Sequence, residues 1–285
     1  SFPYCQSWNE RAAGVNSTLG SAIVVSTNGV AHNIFTQYGT PGGVYHAMTQ
    51  NCGSSWAAST KLFSIQQPGT FEWGIPSTCL RQIYYYPQAD SDRQAQSAYV
   101  NNIYVVWNDL SGSCTAPGCN GNTTCNNDVY FGVGVPDNRQ NPTSWTWTSR
   151  NLTASLSDLY TDEFYPSITV DQADGAVYVT YYRADSGSGG NLDARRRNVH
   201  QALLKSIDGG ATWDGPYQVT DQPTDESAGS GAFEGMQWGD YAWNDVINGV
   251  AYPVWIDRRE DADEDVWTSK VCSPPAHWSE RAPGF

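Results

Sequence analysis

The sequence predicts an all-β protein, a β-propeller built from four-stranded antiparallel blades, and three observations lead to that prediction. The first is composition: the 285 residues include 12 Trp, 17 Tyr and 8 Phe but only 2 Met and 15 Lys plus Arg. This balance suits strands and tight turns better than long amphipathic helices. The second observation is a hairpin pattern that occurs four times, and the third is the constant spacing of those hairpins. A chain of this length can form one closed β domain.

Each hairpin consists of a short apolar strand, a polar turn and a second strand rich in Val and aromatic residues. The turns repeat at intervals of 73, 73 and 74 residues. They begin at Asn28, Asn101, Asp174 and Asn248. Asn-Gly and Asp-Gly pairs tolerate the positive φ angles of tight hairpins, which accounts for their recurrence at the tips. A third strand follows each hairpin, and these strands begin at Val44, Val129, Val199 and Val266.

A fourth strand is predicted in the first three units, where Trp begins the segments 56–60, 145–148 and 213–217. Four-stranded units at a fixed period are typical of propeller blades, because radial repetition covers both faces of each sheet and leaves few open edges. We therefore expect a single domain of four blades, with a six-bladed ring as the alternative. The expected units are about residues 21–95, 96–164, 165–239 and 240–271, closed by residues 1–20.

Residues 206–213 read SIDGGATW and match the Asp-box pattern S-x-D-x-G-x-T-W at every fixed position. A degenerate copy, TQNCGSSW, occupies residues 49–56. On these motifs the chain resembles the sialidase (Asp-box) superfamily of β-propellers, and the resemblance covers most of residues 20–271. The motif itself is expected to be structural, because Asp208 can accept hydrogen bonds from turn amides and Trp213 can pack between blades.

The resemblance also implies a catalytic set that the sequence does not reproduce. Catalytic members of the superfamily generally have six blades, three arginines that bind a carboxylate, a Tyr–Glu nucleophile pair and an Asp acid/base. Only four repeat units are recognisable in this sequence. The segment 71–76, FEWGIP, does not replace the Phe-Arg-Ile-Pro signature that carries the first arginine in many members. No catalytic residue is therefore assigned.

Candidate ligand-binding residues are expected at the strand ends opposite the hairpin turns, where the connections between blades meet the loops between second and third strands. The polar candidates are Asp109, Glu163, Arg183, Asp240, Asp257 and Arg258. A carboxylate pair could hydrolyse a glycoside, and the two arginines could hold an acidic sugar. The aromatic candidates for stacking on sugar rings are Tyr38, Trp73 and Trp238. Salt bridges and ordinary packing are the alternatives for each of these residues.

Charge and hydropathy exclude several partners. The formal charge of −14 argues against a nucleic-acid ligand, because phosphate binding requires clustered cations. No apolar run reaches the roughly 18 residues needed to span a bilayer, so membrane insertion is not expected. The acidic run 257–265, DRREDADED, offers oxygen ligands for calcium but lacks the spacing of an EF-hand. Calcium is thus a possible ligand, and no cofactor is required.

Three features favour an extracellular, secreted protein. Seven cysteines occur without a CxxC motif, which favours disulfides over a zinc site. Ser1 is not an initiator Met, as expected after removal of a leader. The candidate N-glycosylation sites are Asn16, Asn122 and Asn151. Because Cys5 and Cys272 flank the repeats, a disulfide between them is expected to close the ring, leaving Cys52 and Cys79 to pair with each other or with the odd cysteine.

The leading functional hypothesis is a lectin-like, carbohydrate-binding propeller, because the resemblance points to glycans while the complete catalytic set is not found. The first alternative is a glycoside hydrolase or another carbohydrate-active enzyme with a divergent site on the same face. The second alternative is a protein-binding or inhibitory propeller that uses an acidic rim and binds no sugar.

Overall fold

The computed structural model describes residues 18–37, 42–66, 75, 77, 83–112, 125–155, 161–184, 197–225, 238–239, 242–259 and 264–272. These residues form four antiparallel sheets arranged as a four-blade β-propeller, which confirms the predicted fold class. In the first three blades the order of strands across the sheet is their order in the sequence. Each of these blades is therefore a simple meander.

The strands of the described residues divide evenly among the blades. Blade 1 consists of β1 (Thr18–Val25), β2 (Ala31–Gln37), β3 (Gly43–Thr49) and β4 (Thr60–Ser64). Blade 2 consists of β5 (Gln88–Ser91), β6 (Ile103–Gly112), β7 (Cys125–Pro136) and β8 (Trp145–Asn151). Blade 3 consists of β9 (Asp162–Val170), β10 (Val177–Ala184), β11 (Val199–Ser206) and β12 (Asp214–Gln218). Blade 4 consists of β13 (Trp243–Ile247), β14 (Val250–Asp257), β15 (Asp265–Thr268) and β16 (Val271–Cys272), and the last two strands both pair with β14.

The structure shifts two of the predicted boundaries. Blade 2 begins at Gln88 rather than near residue 96, because residues 92–102 form an extended turn instead of a strand. Asp92 organises that turn by accepting hydrogen bonds from the backbone N–H of Gln94 at 2.9 Å and from the hydroxyl of Ser97 at 2.5 Å. The fourth strand of blade 1 also starts later than predicted, at Thr60, because the chain after β3 first completes a turn.

Strand β10 shows why the sheets can stack around an axis. Its side chains alternate between two directions, and both directions are apolar. Val179 and Tyr181 pack into the cluster shared with blade 2, whereas Tyr178 and Tyr182 pack into clusters shared with blade 4. All four side chains are buried. A strand buried on both faces therefore reads as a nearly continuous apolar and aromatic run.

Hydrogen bonds between hairpin turns join neighbouring blades. The backbone N–H of Thr27 donates to Asn101 Oδ1, and Asn101 Nδ2 donates to Thr27 Oγ1, each at 2.8 Å. Between blades 3 and 4, Asp171 accepts from the N–H groups of Asn248 at 3.3 Å and Gly249 at 2.5 Å. Asn101 and Asn248 have φ angles of 66° and 53°, as tight turns require. The turn residues thus both reverse the chain and join the blades.

The segments 49–56 and 206–213 adopt the same turn. In each, the first hydroxyl donates to the side-chain oxygen two residues later, and that oxygen also accepts from the backbone N–H four residues further on. The backbone N–H···O distance is 2.8 Å at Asp208 and 2.9 Å at Asn51. Asn can replace Asp in the degenerate copy because the turn needs one acceptor oxygen, not a charge.

Three junctions between consecutive blades are packed, but the seam between blade 4 and blade 1 is different. The first strands of neighbouring blades contact one another from β1 to β5, β5 to β9 and β9 to β13, and no comparable contact joins β13 to β1 among the described residues. Seven of the nine large exposed apolar side chains in the described ranges lie on the two sheet faces that flank this seam. They are Leu19, Ile23, Val25, Trp243, Ile247, Tyr252 and Val266.

The disulfide predicted to close the ring is not formed in the structure. The thiol of Cys272 is free and exposed, so the predicted Cys5–Cys272 bond is corrected, and Cys5 lies outside the described residues. Cys272 ends β16, which pairs with β14 at the third strand position of blade 4. Residues 18–20, assigned to the closing segment, instead begin the first strand of blade 1. Cys52, by contrast, is disulfide-bonded.

We expect Gly210→Ala to lower the free energy of unfolding by about 2–4 kcal/mol, because it combines backbone strain with a clash. Gly210 has a φ of +86°, and an added Cβ would lie 2.4 Å from Cζ of Phe131. Gly53 occupies the same turn position in blade 1, with a φ of +79° and only Trp56 Nε1 near its Cβ position, at 4.0 Å. Urea denaturation of Gly210→Ala and Gly53→Ala separates strain from packing. Equal losses in the two variants would contradict a tight junction at Phe131.

We expect the free energy of unfolding to decrease as the pH is lowered, because of a buried histidine pair. His32 Nδ1 and His46 Nε2 lie 3.0 Å apart, against Trp145 and Trp147. Burial lowers the pKa of His32 to about 3, with a smaller contribution from His46, and burial lowers the pKa of His46 to about 4.

The unfolded chain therefore binds protons below about pH 6.5 that the folded chain does not. The contribution of the neutral histidine pair to the free energy of unfolding is thus present above about pH 6.5 and is lost as the pH falls towards about 4. The midpoints of urea denaturation at pH 7 and pH 5 measure this loss of stability. The difference between the two midpoints should shrink in His46→Gln, and an unchanged difference would exclude the pair as its cause.

Candidate functional site

The structure places four predicted polar residues at the strand ends opposite the hairpin turns. Asp109 lies near the end of β6, Arg183 near the end of β10 and Asp257 at the end of β14, and each of these strands runs away from a hairpin turn. Glu163 lies at the start of β9, which runs towards a hairpin turn. Arg258 follows β14 directly. Three other predicted residues, Tyr38, Trp73 and Asp240, lie outside the described residues.

These side chains do not converge on one point but are divided among the blade junctions. Asp109 Oδ2 accepts a hydrogen bond from the backbone N–H of Gln66 at 2.7 Å, which joins blade 2 to the end of blade 1. Glu163 pairs in register with Arg183 across β9 and β10, and its Oε2 accepts from Thr153 Oγ1 of blade 2 at 3.2 Å. Glu163 and Arg183 therefore belong to the junction of blades 2 and 3.

Asp109 and Asp128 face each other in register across β6 and β7, and both are buried. Burial, followed by the charges of these two carboxylates, raises the pKa of Tyr130 to about 12. Asp128 accepts from Asn126 Nδ2 at 2.8 Å and from Asn151 Nδ2 at 2.5 Å. Asp128 is thus held by the neutral side-chain amides of Asn126 and Asn151.

The contact with Asp128 also bears on the predicted glycosylation sites. Asn151 is half-buried, and its Oδ1 accepts from the backbone N–H groups of Thr153 at 3.2 Å and Ala154 at 2.9 Å. Both polar atoms of this side chain therefore have internal partners, which argues against its use as a glycan acceptor in the folded chain. The other two candidate sites, Asn16 and Asn122, lie outside the described residues.

Asp257 has a structural role that the sequence did not reveal. Its carboxylate is fully buried and accepts from Trp255 Nε1 at 3.0 Å and from Arg259 Nε at 2.8 Å. The guanidinium of Arg259 also lies 4.6 Å from the ring centre of Trp267. Arg258 is mostly buried, and its side chain lies 3.7 Å from Glu264. The structure therefore assigns Asp257 to the interior of blade 4, which corrects its predicted role in ligand binding.

Trp238 is also buried rather than available for stacking on a sugar. Its ring centre lies 5.5 Å from that of Phe164 and 5.3 Å from that of Tyr182, both in edge-to-face arrangements. The side chain has no exposed surface. Trp238 is therefore a core residue that joins blade 3 to the chain leading into blade 4, and its predicted ligand role is wrong.

Sequence reasoning missed a set of buried polar groups at the junction of blades 2 and 3. Asn108 follows Tyr104 and Val106 on the face of β6 that meets blade 3, and Asn127 lies on the corresponding face of β7. Among the described residues, no hydrogen-bond partner is found for either polar atom of these two side chains or for the hydroxyl of Tyr181. The available signal was a polar residue inside an apolar strand, as in VVWND at 105–109.

The electrostatics of this junction centre on Tyr181 and Glu163. Burial raises the pKa of Tyr181 well above its usual range, the nearby Glu163 raises it further, and Arg183 opposes the shift. Tyr181 is thus a neutral phenol beside a carboxylate and a guanidinium. Together with the two amides, these groups offer hydrogen-bond donors and acceptors within a water-poor junction.

The described residues also bear on metal sites and on membrane spans. The described residues contain no group of three or more His, Cys, Asp and Glu side chains arranged to hold a metal ion. Residues 260–263 of the acidic run lie outside the described ranges. No helix among the described residues is long and apolar enough to cross a membrane.

No protein-family model matches the chain, and comparison with curated protein sequences finds no relative. Solved structures do resemble it. The Hadza microbial sialidase Hz136 has a TM-score of 0.52 at 13% identity, over 89% of this chain and 44% of that one. A Trypanosoma rangeli sialidase in complex with 2,3-difluorosialic acid has a TM-score of 0.51 at 10% identity, over 91% of this chain and 36% of that one. The α-L-arabinofuranosidase from Lactobacillus brevis has a TM-score of 0.50 at 10% identity, over 91% and 69%.

At these identities the similarity is one of fold. The chain has a sialidase-like β-propeller fold, which confirms the expectation from the two turn motifs, and it spans less than half the length of the sialidases that it resembles.

We expect Asp257→Ala to lower the free energy of unfolding by about 3 kcal/mol or more, because it leaves a buried guanidinium and an indole N–H without their acceptor. Asp221 provides the matched control, since it binds the same Arg259 but its side chain is 81% exposed. Asp221→Ala should cost less than about 1 kcal/mol. Thermal or urea denaturation compares the two variants, and similar losses would contradict the structural role of Asp257.

Proposed function

We propose that the chain is a secreted carbohydrate-binding propeller whose ligand site lies at the junction of blades 2 and 3, at the strand ends opposite the hairpin turns. The observation that carries this proposal is the set of buried polar atoms on Asn108, Asn127 and Tyr181 that have no partner among the described residues. A buried polar group without a hydrogen bond costs about 1–3 kcal/mol, so such groups call for an external partner, either ordered water or a ligand.

A sugar matches the chemistry of these groups. Each side-chain amide of Asn108 and Asn127 presents one acceptor and two donor hydrogens, and a sugar hydroxyl can both donate and accept. Glu163 adds an acceptor, and the neutral Tyr181 adds a hydroxyl. A site built to hydrogen-bond hydroxyls discriminates strongly against ligands that lack them, because its own polar groups would then remain unpaired.

Two further observations support the proposal. Among solved structures of similar fold, two are named as sialidases and one as an α-L-arabinofuranosidase, so carbohydrate chemistry is common on this architecture. Cys52 is disulfide-bonded, which suits an oxidising, extracellular compartment. Calcium is retained as a possible ligand of the acidic run, because four of its residues lie outside the described ranges.

A glycan array, run with and without calcium, tests the proposal and identifies the sugar. We expect Asn108→Leu and Asn127→Leu to weaken binding at least tenfold without lowering the melting temperature, because an apolar side chain of similar size removes an unpaired buried amide. Gln201→Leu is the matched control. Gln201 is also a buried amide whose side chain has no partner among the described residues. It lies, however, on the same face of β11 as Val199 and Leu203, which face blade 4. Loss of binding in Gln201→Leu alone, or no glycan bound by the wild type, would refute the site.

A glycoside hydrolase is the second candidate, and the electrostatic proximity of Glu163 to the Tyr181 phenol at this junction favours it. The Glu163 carboxylate is close enough to shift the pKa of the phenol, and Arg183 interacts with the same phenol. A carboxylate beside a phenol could act as a base or nucleophile in glycoside cleavage. Release of fluorophore from a panel of aryl glycosides, abolished in Glu163→Gln, would establish this activity. Binding of glycans without turnover would leave the lectin-like function.

A further inference from the structure

A cavity lies at the other end of the junction between blades 2 and 3, on the face that carries the hairpin turns. It has a volume of about 350 Å³, which is in the range of small-molecule sites. Its walls come from the turn before β6, from β7 and β8, and from the turn at 206–213. The lining residues that matter to its chemistry are Tyr99, Phe131, Val133, Arg139, Arg150 and Asp208.

Two guanidinium groups are fixed at this cavity by neutral acceptors. Arg139 donates to Asn102 Oδ1 at 2.9 Å and to the carbonyl of Val100 at 3.3 Å. Arg150 donates through Nη2 to the carbonyls of Gly210 at 2.5 Å and Ala211 at 3.0 Å. Among the described residues, no carboxylate forms a salt bridge with either arginine. Each guanidinium therefore keeps several N–H donors for a ligand, while neutral oxygen acceptors set its orientation.

The carboxylate in the wall does not cancel these charges. Asp208 accepts from the backbone N–H of Thr212 at 2.8 Å, and it also accepts from the hydroxyls of Thr212 and Ser206. Its oxygens are therefore engaged in the turn. The charged side chains that line the cavity, two cations and one anion, sum to +1 in a chain whose formal charge is −14, and Asp92, outside the lining, also interacts electrostatically with Arg139. An anion that approaches the acidic protein is thus favoured at this position over most of the surface.

The rest of the wall combines apolar and aromatic side chains with the polar Asn102, Thr148 and Ser149. Val133 and the ring of Phe131 come from β7, and the ring of Tyr99 comes from the neighbouring turn. The guanidinium of Arg139 lies 5.9 Å from the centre of the Tyr99 ring. Such a wall suits the flat C–H face of a sugar ring, while the arginines suit an anionic substituent on the same ring.

We propose that this cavity binds an anionic sugar residue, with its carboxylate on Arg139 and Arg150 and its ring against the apolar wall. This site is independent of the glycan site proposed above, since it lies at the opposite end of the junction and shares none of its residues. The chain would then contact an acidic polysaccharide through the face that carries its hairpin turns.

Isothermal titration with an oligoglucuronate, a neutral oligoglucoside of the same length and sodium sulfate tests the proposal. We expect the oligoglucuronate to bind, the neutral oligomer to bind at least tenfold more weakly, and the affinity to fall as salt is raised. Sulfate binding as tightly as the oligoglucuronate would overturn the sugar assignment and leave an anion site. Absence of oligoglucuronate binding would overturn the site itself.

The variants Arg139→Gln and Arg150→Gln locate the binding. Each should weaken oligoglucuronate binding at least tenfold. Arg150→Gln is less prone to disturb folding, because Arg150 is exposed and the variant leaves the contact between Arg139 and Asn102 intact. Arg93→Gln is the matched control, since Arg93 is also on the hairpin face but lies 3.5 Å from Asp90. Unchanged binding in both cavity variants, or an equal loss in Arg93→Gln, would refute the assignment. The glycan array on the same variants distinguishes failure here from failure of the first site.

Discussion

The packing of one blade's sheet against the next is the interaction on which the rest of the structure depends. Strand β10 buries Tyr181 against blade 2 and Tyr178 and Tyr182 against blade 4, so its core is shared with both neighbours. A blade with this composition would expose both apolar faces if it stood alone, which makes the stability of each unit conditional on the adjacent one. At the seam between blades 4 and 1 the sheets are not packed together in this way among the described residues, and the apolar side chains of Ile23 and Ile247 remain exposed there.

This constraint determines what a buried polar residue in a blade strand means. Asp257 lies in a second strand and accepts hydrogen bonds from Trp255 Nε1 and from Arg259, so it stabilises blade 4. Asn108 lies in the equivalent strand of blade 2 with both polar atoms unpartnered among the described residues. The same burial thus gives opposite interpretations, and the hydrogen-bond partners, not the residue type or the position, distinguish a structural group from a candidate binding group.

The sequence predicted those features that depend on local chemistry. The Asn-Gly and Asp-Gly turns and the SIDGGATW segment depend on φ and on hydrogen bonds within a few residues, and both gave the blade count and the fold. Strand β5 was missed because QADS has no apolar alternation, while the nearby SAYV resembles a strand but forms a turn organised by Asp92. The burial of Trp238 depends on Phe164 and Tyr182, distant in sequence, so no local pattern could reveal it. Asp109, Glu163, Arg183 and Asp257 do lie near strand ends opposite the hairpin turns, but their division among junctions required the register of the sheets.

Both proposed sites lie at the junction of blades 2 and 3, and the physics of that junction explains why they lie at its ends. Its middle is an apolar cluster that includes Val106, Phe131 and Val179, and both proposed sites border this cluster, one at Phe131 and the other at Tyr181. At one end the turn after β7 carries Arg139 and strand β8 carries Arg150, and at the other end the strands carry amides and carboxylates. The two ends therefore differ in the sign of the charge that they favour. The packed cluster between them keeps their chemistries separate, so one junction can present two faces to two different parts of a glycan.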